Sequence, residues 1–208
     1  MADPKPTVFV IDDDPSVLKS LSRLLRSLGF DTETFASAEA FLARKHYDGI
    51  GCIILDVRMP GLSGMDLQDE LSRADYSMPV IFITGHGNIP MSVQAMKKGA
   101  VNFLAKPFDD EELLQAVREA IEKDRKAKAE RAEVHDALRL IEQLTLREHE
   151  IFRYVITGML NKQIAVKLDI AEKTVKVHRG RIMEKLRVES VADLVRLAEK
   201  AGIEPAKE

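Results

Sequence analysis

Five short runs rich in β-branched residues alternate with amphipathic stretches in the first half of the chain, and this alternation constrains the fold more than any other feature. Apolar residues recur at helical spacing between the runs, and Gly29 and Gly99 end two of these helices. Strands that alternate with helices predict an α/β doubly wound, five-stranded parallel sheet with helices on both faces. The runs are Val8–Ile11, Thr32–Phe35, Cys52–Leu55, Val80–Ile83 and Val101–Leu104.

A long charged segment without glycine or proline follows, from Asp109 to Gln143. Asp109 and Glu112 form a capping-box pattern at its start, and the apolar stripe within Leu113–Ile121 predicts docking against the sheet. The stripe disappears after Ile121, so a flexible charged linker is an alternative. The composition favours a nearly continuous helix throughout.

The remaining residues predict a small all-α domain of four helices that contains a helix-turn-helix. Thr145 and Glu148 form a capping box before the first helix, and Asn161 is placed to cap the second. The third helix is expected to end near Leu186, and the fourth covers Ser190–Lys200.

Charge divides the chain in the same way. Residues 144–208 hold 13 Lys and Arg and 10 Asp and Glu, a charge of +3, so the whole-chain charge of −3 leaves −6 for the rest. An acidic N-terminal part and a basic C-terminal part suggest two separate functions. We therefore divide the chain into a domain at 5–123, a helical linker at 124–143 and a second domain at 144–203.

The chain carries a single cysteine, Cys52, and no apolar leader or long apolar run. A lone cysteine cannot form an internal disulfide, which is typical of a reducing compartment. We therefore expect a cytoplasmic protein without a signal peptide, a membrane span or a membrane partner.

Polar side chains follow the strands of the predicted sheet and should converge at its carboxyl edge. Clustered carboxylates repel each other unless a hard cation neutralises them, and oxygen ligands suit Mg²⁺. A carboxylate in such a site can attack phosphorus and form an aspartyl-phosphate. Lys106 and Thr84 can then contact the phosphoryl oxygens. The side chains are Asp12, Asp13 and Asp14 after the first strand, Asp56 after the third, Thr84 after the fourth and Lys106 after the fifth.

Four runs at these strand ends resemble the receiver domain of two-component response regulators, over about residues 5–123. The resemblance implies that Asp56 is the phospho-acceptor. It implies that Mg²⁺ is held by Asp12 or Asp13, by Asp56 and by the backbone carbonyl of Arg58. The runs are Val10–Asp14, Leu55–Gly61, Ile83–Gly87 and Phe103–Phe108.

The same resemblance implies a switch. Thr84 would move to the phosphate and Phe103 would turn inward. The Lys106–Pro107 peptide would be cis. His86 lies in the same region, and we interpret it as a loop residue near the mouth of the site rather than a ligand or base.

The third helix of the second domain has one apolar face and one basic face. Val175, Ile182 and Leu186 point one way at 100° per residue, and His178 lies near their edge. The opposite face carries lysine, arginine and a valine, which suit phosphates, guanine edges and thymine methyls in a major groove.

Residues 142–203 resemble the LuxR-type DNA-binding domain, through Leu144–Glu148, Asn161–Ala165, Thr174–His178 and Lys185–Val188. The expected DNA-binding residues are Lys162, Lys173, Thr174, Lys176, Val177, His178, Arg179, Arg181 and Lys185. Two positions depart from the family pattern. Ala171 stands where a capping residue is usual, and Gly180 stands where a longer base-contacting side chain is frequent.

A receiver joined to this output domain is similar to the NarL/FixJ-type response regulators, and Gly85–Met91 and Ala95–Ala100 favour the FixJ branch. The resemblance implies phosphorylation of Asp56 by a sensor histidine kinase and binding of double-stranded promoter DNA as a homodimer. The expected dimer face on the fourth helix and fifth strand includes Met96, Lys97 and Val101. Transcription activation is the favoured outcome, with RNA polymerase as a further partner.

Two other functions stay open at this point. One is a phosphatase of the haloacid-dehalogenase kind, because Asp12 and Asp14 superficially fit its opening motif, although a cap domain and a downstream acidic pair are missing. The other is a receiver with an RNA-binding or protein-binding output. We expect no enzymatic activity beyond self-catalysed phosphoryl transfer and slow dephosphorylation.

Overall fold

The computed structural model describes residues 5–74, 76–85 and 89–207, so the interpretation of His86 lies outside the described residues. The chain divides into two compact units, residues 1–128 and residues 129–208. Among the helices of the described ranges, none combines the length and the apolar composition needed to cross a bilayer.

The first unit contains a five-stranded parallel sheet with the strand order β2-β1-β3-β4-β5. Each observed strand end lies within one residue of its predicted position. The strands are β1 (Thr7–Ile11), β2 (Asp31–Phe35), β3 (Gly51–Asp56), β4 (Val80–Thr84) and β5 (Asn102–Ala105).

Helices cover both faces of this sheet, which confirms the doubly wound prediction. Leu25 and Val117 pack on one face, and Phe41 and Leu67 pack on the other. All four side chains are almost completely buried. The helices are α1 (Pro15–Ser27), α2 (Ala38–Leu42), α3 (Gly64–Arg73), α4 (Ile89–Lys97) and α5 (Asp110–Ile141).

The strand register brings the carboxyl ends of four strands together. Ile11 pairs with Leu55, so the residues that follow β1 and end β3 are neighbours. Thr84 pairs with Ala105 at the ends of β4 and β5. The polar side chains at these strand ends therefore meet at one edge of the sheet.

The charged segment is one continuous helix of 32 residues, so the flexible-linker alternative is wrong. Leu113, Val117 and Ile121 are buried against the sheet as predicted. The boundary between the two compact units falls inside this helix, after residue 128.

The second unit contains the end of α5 and four shorter helices around an apolar core that includes Phe152 and Ile182. Thr145 and Glu148 form the predicted capping box. The predicted cap at Asn161 is wrong, because Leu160 occupies the cap position and its N–H donates to Gln163 Oε1 at 2.8 Å. The helices are α6 (Leu146–Val155), α7 (Asn161–Leu168), α8 (Glu172–Leu186) and α9 (Val191–Lys200).

Candidate functional site

Lys106 bridges two carboxylates at the carboxyl edge of the sheet. Its Nζ lies 2.6 Å from Asp12 Oδ2 and 2.8 Å from Asp56 Oδ1. Asp12 is 1% exposed, and Asp56 and Thr84 are also buried. The Lys106–Pro107 peptide is cis, as the resemblance implied. Three residues far apart in sequence therefore form one compact, charged cluster.

Backbone groups orient both carboxylates. The Asp14 N–H donates to Asp12 Oδ1 at 2.9 Å, and the Arg58 N–H donates to Asp56 Oδ2 at 2.6 Å. Helix α3 begins against the end of β3, where a Cβ on Gly64 would collide with the carbonyl oxygen of Asp56. Gly64 thus allows the helix to approach the strand, a requirement that the sequence analysis missed.

The cluster carries more negative than positive charge. Burial raises the pKa of the Asp12 carboxyl above its ordinary value, although the hydrogen bond from Lys106 opposes this shift. Burial also acts to lower the pKa of the Lys106 ammonium, but hydrogen bonds to Asp12 and Asp56 outweigh burial and raise it. One ammonium faces two buried carboxylates, so a divalent cation would be attracted to this edge.

The Mg²⁺ ligands expected from the sequence are only partly brought together. Asp12 and Asp56 share Lys106, whereas Asp13 is exposed. Within the described residues, no group of three or more His, Cys, Asp or Glu side chains is arranged to hold a metal ion. Two carboxylates still fit Mg²⁺, which usually takes one or two protein carboxylates and keeps several waters.

The expected switch residues lie on adjacent strands. Thr84 is buried at the end of β4, and its carbonyl oxygen accepts from the Lys106 N–H at 2.7 Å. Phe103 on β5 is half-buried, and its ring centroid lies 6.2 Å from that of Phe82. Thr84 therefore ends the strand next to that of Asp56, and Phe103 lies one strand further, on the strand that leads to Lys106.

Glu39 is a further residue that the sequence analysis missed. Its Oε1 accepts from the Leu62 N–H at 3.0 Å and so ties α2 to the loop that follows Asp56. Hydrogen bonds from the backbone N–H groups of Glu39 itself and of Leu62 lower the pKa of this carboxyl. A glutamate two residues after a serine cap was the available signal.

Helix α4 presents apolar side chains to the surface. Met96 is 47% exposed and Val93 is 46% exposed, and Ile89 is also exposed. Lys97 is exposed as well, whereas Val101 is half-buried before β5. Two of the three predicted dimer-face residues are therefore accessible on α4, and the dimer face stays a prediction.

Helix α8 has the two faces that the sequence predicted. Val175, Ile182 and Leu186 are buried in the core of the second unit. The exposed residues from the expected DNA-binding set are Lys162, Lys173, Thr174, Lys176, Val177 and Arg181. These six residues, of which Lys162 lies on α7 and the others on α8, are accessible, and we name them the basic face.

Lys185, one of the expected DNA-binding residues, makes polar contacts within the second unit. Its Nζ lies 2.6 Å from Glu148 Oε2 and donates to the carbonyl oxygen of Gln143 at 3.1 Å. Burial would raise the pKa of Glu148, but the hydrogen bonds from Lys185 and Thr145 prevail and lower it to about 2. Lys185 therefore links α8 to α6, and its expected DNA contact stays a prediction.

Arg179 and His178 are less exposed than the side chains of the basic face. Arg179 Nη1 donates to Asn161 Oδ1 at 2.7 Å. His178 is half-buried, and its Nδ1 is buried without a hydrogen-bond partner among the described residues. Asn161 on the preceding helix therefore holds the guanidinium of Arg179, and the expected DNA contact of Arg179 stays a prediction.

The two departures from the family pattern have clear structural settings. Ala171 occupies the N-cap of α8 and makes no side-chain cap hydrogen bond. A Cβ on Gly180 would meet nothing within 4 Å. Helix α8 therefore begins without a side-chain cap and has an open position on its surface.

The chain matches two family models. Residues 8–118 match the response regulator receiver domain. Residues 142–198 match the bacterial regulatory proteins of the luxR family. The receiver model covers the sheet with the carboxylate cluster, and the luxR model covers α6 to α8 and most of α9.

Similar proteins extend over nearly the whole chain. Nodulation protein W of Bradyrhizobium diazoefficiens is 50% identical over 202 residues, which cover 97% of this chain and 89% of that protein. The transcriptional regulatory protein FixJ of the same organism is 39% identical over 199 residues, covering 96% and 97%. A low-resolution structure of the response regulator StyR matches with a TM-score of 0.86 at 48% identity, covering 95% and 100%. The chain therefore belongs to the response regulators of the NarL/FixJ type, transcription regulators in which a receiver domain precedes a DNA-binding domain of the luxR family.

Proposed function

We propose that Asp56 accepts a phosphoryl group from a sensor histidine kinase and that this modification controls binding to promoter DNA. The observation that carries the proposal is the position of Lys106, whose Nζ lies within 2.8 Å of an oxygen of both Asp12 and Asp56. The ammonium lies where charge on a transferring phosphoryl group would need compensation. The same ammonium and one backbone N–H hold each of the two carboxylates, and the resemblance to receiver domains selects Asp56 as the acceptor.

In the transfer, a carboxylate oxygen of Asp56 bonds to phosphorus as the bond between phosphorus and the kinase imidazole nitrogen breaks. The imidazole leaves with the electron pair of that bond and takes up a proton. Asp12, Asp13, Asp56 and the Arg58 carbonyl would hold Mg²⁺, which supplies positive charge beside the phosphoryl oxygens. Lys106 keeps the acceptor carboxylate oriented before the transfer and pairs with a phosphoryl oxygen after it.

Phosphorylation then biases a two-state element. The added charge draws the Thr84 hydroxyl toward the phosphate, and Phe103 turns into the space released beside it. The exposed apolar side chains of α4 support pairing of two copies through the surface that holds Met96, Lys97 and Val101. A dimer would hold two basic faces on two half-sites, which multiplies the weak affinity of one unit.

The decisive experiment compares the full-length chain with Asp56→Asn, with and without Mg²⁺ and beryllofluoride as a phosphoryl mimic. Gel filtration measures dimerisation, and binding to duplexes selected from a random pool measures DNA affinity. We expect the mimic to promote both in the wild type and in the control variant Asp31→Asn, whose carboxylate is exposed at the start of β2. An Asp56→Asn chain that responds like the wild type would refute the assignment.

The phosphatase alternative predicts a different result. Sustained release of inorganic phosphate from a small ester, lost in Asp12→Asn but retained in Asp56→Asn, would identify that activity. We propose instead that the chain releases no phosphate from such esters. Steeply salt-dependent binding to duplex DNA separates our proposal from an RNA-binding or protein-binding output.

A further inference from the structure

We propose that Arg179 is a positioning residue that fixes the recognition helix α8 against α7 through Asn161, and that it does not contact DNA phosphate. The inference rests on the proposed DNA-binding function and concerns how the basic face is oriented. It starts from the hydrogen bond of 2.7 Å between Arg179 Nη1 and Asn161 Oδ1.

Asn161 is free to make this contact because it does not cap its own helix. Leu160 occupies the cap position of α7, and Gln163 Oε1 accepts the N–H of Leu160. The Asn161 side chain is half-buried and extends to α8 instead. A charge-assisted hydrogen bond between the two helices is among the stronger polar contacts in proteins.

Helix α8 needs such a contact because its local features stabilise it weakly. Ala171 supplies no side-chain cap. Gly180 lies inside the helix, where glycine is unfavourable relative to alanine. Among the α8 side chains that the structure describes, only Arg179 and Lys185 donate a hydrogen bond to a group outside α8. Lys185 lies in the last turn, so Arg179 is the link nearest to the basic face.

The two roles of Arg179 predict different dependences on salt. A direct phosphate contact releases counterions, so its loss would lower the slope of log affinity against log salt by about 1 for each bound chain. The loss of a phosphate contact would also weaken binding to every DNA sequence by the same factor. A positioning contact carries no counterion release, and its loss would weaken a selected duplex more than a scrambled one.

The test uses the full-length chain with the phosphoryl mimic, a duplex selected by the wild type from a random pool, and a scrambled duplex. The variants are Arg179→Ala, Asn161→Ala and the double variant, with Lys176→Ala as the control on the basic face. We expect each single variant to lose about tenfold in affinity for the selected duplex. The double variant should lose no more than either single one, and the salt slope should stay unchanged.

Other results would overturn the proposal. These are a lower salt slope in Arg179→Ala with unchanged affinity in Asn161→Ala, additive losses in the double variant, or no loss in either single variant. Circular dichroism checks folding, and Asn161→Ala alone still decides between the two roles if Arg179→Ala unfolds. A wild type that binds no duplex would instead contradict the proposed function.

Discussion

The carboxylate of Glu148 and the ammonium of Lys185 join the first helix of the C-terminal unit to its recognition helix, with 2.6 Å between Oε2 and Nζ. Glu148 is 2% exposed and also accepts the Thr145 N–H at 2.9 Å. The same carboxylate therefore completes a helix cap and anchors α8. Loss of the Glu148 charge should therefore destabilise both the N-terminal cap of α6 and the contact between α6 and α8.

Replacement of this carboxylate should destabilise the C-terminal unit at neutral pH. We expect Glu148→Gln to lower the free energy of opening of α6 and α8 by about 2 kcal/mol, because hydrogen bonds to a charged group are lost. Native-state hydrogen exchange of their amides measures this unit separately from the rest of the chain. The control is Glu150→Gln, whose half-exposed carboxylate pairs with Arg147 and should cost under about 0.5 kcal/mol.

The same ion pair predicts a dependence on pH. The pKa of Glu148 is about 2 in the folded chain, against an ordinary value of 4.5. Its contribution to stability is therefore complete above about pH 4.5 and is lost as the pH falls toward 2. The difference in opening free energy between the wild type and Glu148→Gln should shrink across this interval. A difference that stays constant from pH 5 to pH 2 would contradict the assigned pair.

Removal of one negative charge from the carboxylate cluster should raise the stability of the receiver domain while impairing its phosphorylation. Burial raises the pKa of Asp12, so its ionised form is disfavoured in the folded chain. We expect Asp12→Asn to raise the free energy of unfolding of the Mg²⁺-free receiver by about 1 kcal/mol at pH 7. Thermal unfolding measures the change, and the exposed Asp31 provides the control Asp31→Asn. The gain should reverse with Mg²⁺, which stabilises the wild type more strongly.

A serine at the start of the recognition helix should supply the missing cap. Ala171 has φ −68° and ψ 142°, a backbone conformation that a capping residue adopts. We expect Ala171→Ser to stabilise α8 by about 1 kcal/mol and to slow hydrogen exchange at Lys173 and Thr174. Ala129→Ser, at an exposed position inside α5, should give no gain because serine is the weaker helix former there. Equal effects of the two serines would refute the cap argument.

An arginine stacked on aromatic rings should not tolerate lysine. The guanidinium carbon of Arg44 lies 4.3 Å from the ring centroid of Phe9 and 4.6 Å from that of Phe41, and the group also donates to the Tyr76 hydroxyl. We expect Arg44→Lys to cost about 1–2 kcal/mol, because a lysine loses the planar stacking. Urea unfolding of the receiver measures the loss. The surface substitution Arg73→Lys should change stability by less than about 0.5 kcal/mol.

The strands β1, β3 and β4 were predictable to within one residue because buried parallel strands appear as continuous apolar runs. The edge strands β2 and β5 are only partly buried, and their place between predicted helices indicated them. Helix α2 was not located, since Ala38–Leu42 spans five residues and shows too little periodicity. The carboxylate cluster followed from strand order alone. Gly64 and Glu39 were missed because their roles depend on a close approach and on a loop that only the folded chain defines.

Helix α8 shows that helical periodicity does not predict the contacts of long side chains. A projection at 100° per residue gives the direction of the Cα–Cβ bond, but arginine and lysine extend several bonds beyond it. Arg179 and Lys185 therefore reach Asn161 and Glu148, partners that lie 18 and 37 residues away in sequence. Short side chains such as Val175 leave no such freedom, and their burial was predicted correctly.

A substitution at the open position of Gly180 would alter the DNA-facing surface of α8 without altering the core that stabilises the fold. A Cβ at this position would meet nothing within 4 Å. After duplication of the gene, one substitution at this position could give the daughter protein a new operator while leaving its receiver unaltered. Two regulators would then respond to the same phosphorylation signal but bind different promoters. Transcriptional regulation could therefore diverge through this single codon.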